Sequence, residues 1–151
     1  MFVDNSGADC WLGMLPLCRA LAVRGTEVVI AANHAPSLND MTAAELKVAL
    51  PRVPCETVQR LLGEGKLSVC DSGSDDPVID LRRVSPELAE VARDADLVIL
   101  EGMGRGIETN LETADLTCDR LSIGMVKHPE VAESLGGRLY DVVVKFVEAG
   151  G

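Results

Sequence analysis

The sequence predicts an α/β fold, a mostly parallel sheet with helices on both faces, and three observations predict it. Apolar, β-branched runs alternate with segments whose apolar residues recur at three-to-four spacing, the pattern of repeated strand–helix–strand units. The run over residues 26–32 is apolar nearly throughout, which marks a strand covered on both sides. Polar residues directly follow the runs: Asp4-Asn5, Asn33, Glu101-Gly102 and Lys127.

The elements follow in order. Residues 1–4 form a short strand. A helix over 9–24 carries Trp11, Leu12, Leu15, Cys18, Leu21 and Ala22 on one face, with Pro16 expected to kink it or to mark a break between two shorter helices, and Arg24-Gly25 to end it. The second strand, 26–32, leads into a polar loop. Helix resumes over 41–50, with Asn39 or Asp40 as its cap. Pro51 and Pro54 break it, and 55–62 make a further short helix before a third strand over 66–70. Ser85-Pro86-Glu87 starts a helix that runs to 94. Strands over 96–100 and 121–126, a short helix over 129–135 and a strand over 139–147 complete the chain. No repeat, low-complexity segment or linker interrupts it. The expected architecture is one domain, residues 1–151, of three-layer α/β/α, Rossmann-like form.

The first strand also carries an expectation about length. A central strand usually runs about five or six residues, and here only about three precede the loop. The chain therefore reads as N-terminally truncated relative to its fold.

Composition narrows the function. With 47% apolar and 25% charged residues in 151, the chain is that of a soluble globular domain. No apolar run approaches the ~20 residues of a membrane span. The net charge of −10 argues against nucleic acid or an anionic membrane as partner, since both need a basic surface. It leaves room for a small phosphorylated metabolite, because one local cation and a metal can reverse the field inside a pocket. The five cysteines form neither a Cys-x-x-Cys pair nor a zinc spacing, and they point to a reducing, cytoplasmic compartment.

In open α/β sheets, ligands bind outside the carboxyl ends of the strands. The four polar strand ends converge there. Asp4 and Asn5 offer hard oxygen ligands suited to magnesium or manganese; the alternative is Asn-Ser-Gly turn chemistry. Asp40 is either a helix cap or a third oxygen ligand. Asn33 can bind a phosphate oxygen or start a turn, and Lys127 is a point charge for phosphate or an ordinary exposed lysine. Glu101 can orient water, bind substrate hydroxyls or serve as a buried structural carboxylate. Gly102-Met103-Gly104-Arg105-Gly106 allows close backbone approach but is neither a Rossmann fingerprint nor a P-loop. His34 and His128 read as loop residues.

These residues resemble the damage-control phosphatases, long called domain of unknown function 89. The resemblance rests on Phe2-Val3-Asp4-Asn5-Ser6-Gly7-Ala8-Asp9, Ala32-Asn33 through Asn39-Asp40, the stretch from Asp96 to Gly106, Gly124-Met125-Val126-Lys127-His128-Pro129-Glu130 and Gly136-Gly137-Arg138-Leu139-Tyr140-Asp141. The branch is that of stand-alone plant proteins and of the C-terminal domain of a pantothenate kinase-like protein. The resemblance implies a divalent metal (Mn, Co, Ni or Mg) held by Asp4, Asn5 and Asp40. Asn33, Glu101, Gly102 and Lys127 would line the substrate site, with Asp4, Asp40 and Lys127 catalytic. It implies hydrolysis of phosphate monoesters such as phosphopantetheine or its oxidised forms, with attack by an activated water or by an aspartate such as Asp4. Two departures stand out: the family's largely helical upstream portion is absent, and residues 112–115 replace an aromatic-containing stretch. A catalytically incomplete domain that binds metal, ligand or a partner is the alternative, with self-association through uncovered apolar surface as a further expectation.

Overall fold

In the computed structural model, residues 1–4 hold the sheet together. The structure describes residues 1–112 and 116–150; Thr113, Ala114 and Asp115, where the departure after Asn110-Leu111 falls, lie outside them with Gly151. Phe2 bridges in parallel to Ala31 on one side and Leu100 on the other. The Val3 amide donates to Ala31 O (3.0 Å) and the Phe2 amide to Ile99 O (2.8 Å). On one flank lie β1 (Val28–Ala32) and β2 (Leu67–Asp71), paired in parallel with Val28 opposite Leu67. On the other, β3 (Leu97–Glu101) pairs in parallel with β4 (Asp119–Met125). The closing strand, β5 (Val142–Val147), runs antiparallel to β4.

Alternate strand residues point to opposite faces, and the two largest clusters of buried residues divide accordingly. Val3, Val28, Ile30, Ala32 and Leu67 pack with α1 (Leu15–Val23), α2 (Ala43–Ala49) and α3 (Glu56–Gly63). Phe2, Ala31, Cys70, Val98 and Leu100 pack with Leu88 of α4 (Pro86–Arg93) and with Ile79. Farther along the sheet, Val126 meets Ile107, Leu111 and Ala132 of α5 (Pro129–Ser134). Val142, Val144 and Phe146 of β5 stay exposed. Among the described residues, no helix is long and apolar enough to cross a membrane.

Local structure departs from expectation at two places that matter for the site. The helix foreseen over 9–24 begins with a π-helical segment, Asp9–Met14, and becomes α-helical at Leu15. Pro16 thus lies in the first turn of α1, at the break between the π-helical and α-helical segments, which is the second of the two roles its position allowed. The cap of α2 is neither Asn39 nor Asp40. It is Thr42, whose hydroxyl accepts from the Glu45 amide (3.2 Å) while the Glu45 carboxylate accepts from the Thr42 amide (3.0 Å), a reciprocal capping box.

The box supplies two of the partners that the first turn of α2 lacks. Thr42→Ala is expected to lower stability by about 1 kcal/mol, read from the midpoint of urea unfolding. An unchanged midpoint would mean that packing of Leu46 alone holds α2. Because Thr42 takes the cap, the Asp40 carboxylate is released for other work.

Candidate active site

A short ladder of backbone bonds brings Asp40 beside Asp4. The Met41 amide donates to Asp4 O (2.8 Å), Ser6 N to Asn39 O (2.8 Å) and Asn33 N to Met41 O (3.1 Å). Asn5 and Asp40 form an antiparallel bridge. Segment 39–42 therefore runs between the ends of the first strand and β1. Asp4, Asn33 and Asp40 are all buried there.

The centre of the cluster is a residue that the sequence reading passed over. Arg105 is 1% exposed. Its Nη1 donates to Asp4 Oδ1, and its Nη2 donates to Asp40 Oδ2 (2.7 Å) and Asn33 Oδ1 (2.8 Å). Asn33 is committed as well, since its Nδ2 donates to Asp40 Oδ2 (3.2 Å) and Asp76 O (3.2 Å). In this arrangement Asn33 braces Asp40 and Arg105.

Glycine makes the approach of Arg105 feasible. The segment Met103–Glu108 is a π-helical turn after β3, and Asn110 Nδ2 donates to Arg105 O (2.8 Å), holding its backbone. A Cβ on Gly102, which has φ +103°, would collide with the Asp4 carboxylate. A Cβ on Gly106 would sit 2.6 Å from Leu100 O. The glycine-rich stretch is thus a close-approach turn whose cargo is the arginine. One signal was available in the sequence: an arginine enclosed by glycines, four residues after a strand-ending glutamate.

Glu101 ends β3, and its Oε2 accepts from the Asp4 amide at 2.8 Å. Burial pushes the Glu101 carboxyl up to about 7, and the negative charges of Asp4 and Asp9 push the same way while the amide bond opposes them. Burial likewise raises the Asp4 carboxyl above the usual range, against the neighbouring Arg105 guanidinium. Lys127 is exposed, and its charge reaches Asp4. The Asn5 side chain turns toward Asp9, donating from Nδ2 to Oδ2 at 2.7 Å. At the neighbouring strand ends, exposed His34 pairs with Asp71 (2.7 Å), a partner that spacing had not indicated.

The donor chemistry suits a hard divalent cation. Asp4 Oδ2, Asp40 Oδ1 and Asn5 Oδ1 accept no hydrogen bond among the described residues, whereas the other oxygen of each carboxylate faces Arg105. Among the described residues, no three His, Cys, Asp or Glu side chains converge as ligands. A metal here would rest on two carboxylates and one carboxamide.

The model of the damage-control phosphatase ARMT1-like domain matches residues 1–143. The chain belongs to this family. It is 60% identical over 149 residues to a damage-control phosphatase of Arabidopsis thaliana, which covers 98% of this chain and 40% of that protein. It is 45% identical over 170 residues to pantothenate kinase 2 of the same plant, covering 97% of this chain and 19% of that protein. A 4'-phosphopantetheine phosphatase of Mus musculus is 32% identical over 197 residues, covering 97% of this chain and 24% of that protein. The crystal structure of a DUF89 family protein from Pyrococcus horikoshii superposes with a TM-score of 0.73 at 26% identity, over 99% of this chain and 46% of that one. The damage-control phosphatase domain described here thus spans less than half the length of each of these relatives.

Proposed function

We propose that this chain is a metal-dependent phosphomonoester hydrolase acting on phosphopantetheine or its oxidised forms. The observation that carries the reading is the buried convergence of Asp4, Asn33, Asp40 and Arg105 at the carboxyl ends of the strands, next to Glu101. The phosphatase relatives, one of them a 4'-phosphopantetheine phosphatase, support the choice of substrate. Helices on the two faces of the sheet support the three-layer, Rossmann-like reading of the fold.

Asp4, Asn5 and Asp40 would hold the divalent ion. When bound, it polarises a phosphoryl oxygen and neutralises charge as the ester bond breaks. Asn33 and Arg105 fix the two carboxylates in place, so the donor set is organised before substrate arrives. Lys127, exposed on a flexible stem, supplies a point charge for peripheral phosphate oxygens. Glu101 commits Oε2 to the Asp4 amide, and a carboxyl that holds its proton to about 7 would serve as a general acid toward a leaving alkoxide.

The test is phosphate release from phosphopantetheine and from an aryl phosphate, with Mn²⁺, Co²⁺ or Mg²⁺ against a chelated control. Asp4→Ala is expected to lower turnover by at least about 100-fold; full activity in that variant would sink the assignment. A trapped aspartyl-phosphate located on Asp4 would identify that residue as the nucleophile, and its absence during turnover would favour water. A second reading draws on the length comparison: spanning less than half of its relatives, the chain would bind metal or ligand without turning over. Metal binding with no phosphate release from either ester would favour that reading.

A further inference from the structure

The proposed chemistry uses Arg105 as a brace and leaves the consequence of its charge for metal binding open to inference. Arg105 stands between the two carboxylates, taking one oxygen from each and the carbonyl of Asn33. It is 1% exposed, and the glycine turn around it leaves no room for a larger backbone neighbour at Gly102 or Gly106. A guanidinium placed this way satisfies Asp4 and Asp40 with no other cation present. Any divalent ion drawn to the same carboxylates would have to share them with a like charge.

Charge balance gives this competition a consequence. At the carboxylate pair itself, the negative charges of Asp4 and Asp40 are matched by those of Arg105 and the nearby Lys127, while Glu101 on the Asp4 amide and Asp9 on the Asn5 side chain lie at the edge of the group. A divalent cation alone would shift the charge of this group by two units in one direction, and a phosphate dianion alone by two in the other. Together they add no net charge. We infer that Arg105 is the resident cation of this site: it holds Asp4 and Asp40 together in the metal-free protein and makes the metal and a phosphate dianion bind as a coupled pair. Coupling of this kind is reciprocal, so each ligand tightens the other by the same factor. Without Arg105, the carboxylate pair would attract the metal strongly without phosphate. The inference rests on the reading of the site as a metal-assisted phosphatase.

The measurement is Mn²⁺ affinity by electron paramagnetic resonance, with and without inorganic phosphate, for the wild-type chain, Arg105→Gln and Arg105→Lys. In the wild-type chain, phosphate is expected to tighten Mn²⁺ binding by about fivefold or more. Arg105→Gln is expected to bind Mn²⁺ alone about tenfold more tightly, on the scale of one like charge removed from the shared carboxylates, and to show weaker coupling. Arg105→Lys keeps the charge and should keep the coupling. Wild-type affinity that ignores phosphate overturns the inference, as does Arg105→Gln that binds Mn²⁺ no more tightly. If Arg105→Gln does not fold, the wild-type comparison and Arg105→Lys decide, and loss of coupling in the lysine variant counts against the idea. Metal-dependent turnover with uncoupled binding removes the inference and leaves the proposed function standing. Coupled binding without turnover removes the hydrolase reading and leaves the role of Arg105.

Discussion

Arg105→Met is expected to lower the unfolding free energy of the metal-free protein by about 3–5 kcal/mol, the usual cost of removing one partner from a buried ion pair. The guanidinium is 1% exposed and faces two buried carboxylates. Methionine fills much of the stem volume, so the loss is mainly electrostatic: Asp4 and Asp40 face each other with no cation between them. Urea unfolding with chelator present measures it. Adding Asp4→Asn and Asp40→Asn to Arg105→Met should recover a large part of the loss, because the uncompensated charges then disappear. A loss under about 1 kcal/mol in the single variant would place Arg105 among ordinary surface pairs and contradict the buried cluster.

Glu101 sets the second large effect, through pH. The unfolded carboxyl releases its proton near 4.5, whereas in the folded protein it holds the proton to about 7. Between those values the native state binds more protons than the unfolded state, so stability falls as pH rises from about 4.5 to about 7 and then levels. The shift corresponds to about 2–3 kcal/mol once partial solvent access is allowed for. Glu101→Gln keeps an oxygen for the Asp4 amide and removes the titration. Its stability relative to the wild-type chain should therefore grow across that window, measured by urea unfolding at pH 4.5 and pH 8. Asp4 is raised by burial in the same direction and is common to both chains, so the difference reports Glu101 together with its coupling to Asp4. Parallel curves for the two proteins would show that Glu101 is solvated.

Much of the fold was legible because strands and helices announce themselves by local period. The apolar runs at 26–32 and 66–70 became β1 and β2 within two residues at either end. Ser85-Pro86-Glu87 started α4 as its capping chemistry requires, with the Ser85 hydroxyl accepting from the Leu88 amide. The direction of β5 was not legible. A strand reads the same whether its neighbour runs with it or against it, and only the register of Met125 opposite Val142 shows that the sheet ends antiparallel.

The site divides along the same line. That Asp4-Asn5, Asn33, Glu101-Gly102 and Lys127 stand at strand ends could be read from short-range apolar pattern, and the motifs placed the chain in its family. That Thr42 caps α2, so that Asp40 turns inward, was settled by the folded chain. It alone decided that Arg105 occupies the centre, through partners 101 residues away at Asp4 and 65 away at Asp40. Contacts across such separations leave no period in a sequence. They form because the parallel sheet brings the carboxyl ends of distant strands to one edge, where burial makes a lone charge too costly to leave unpaired.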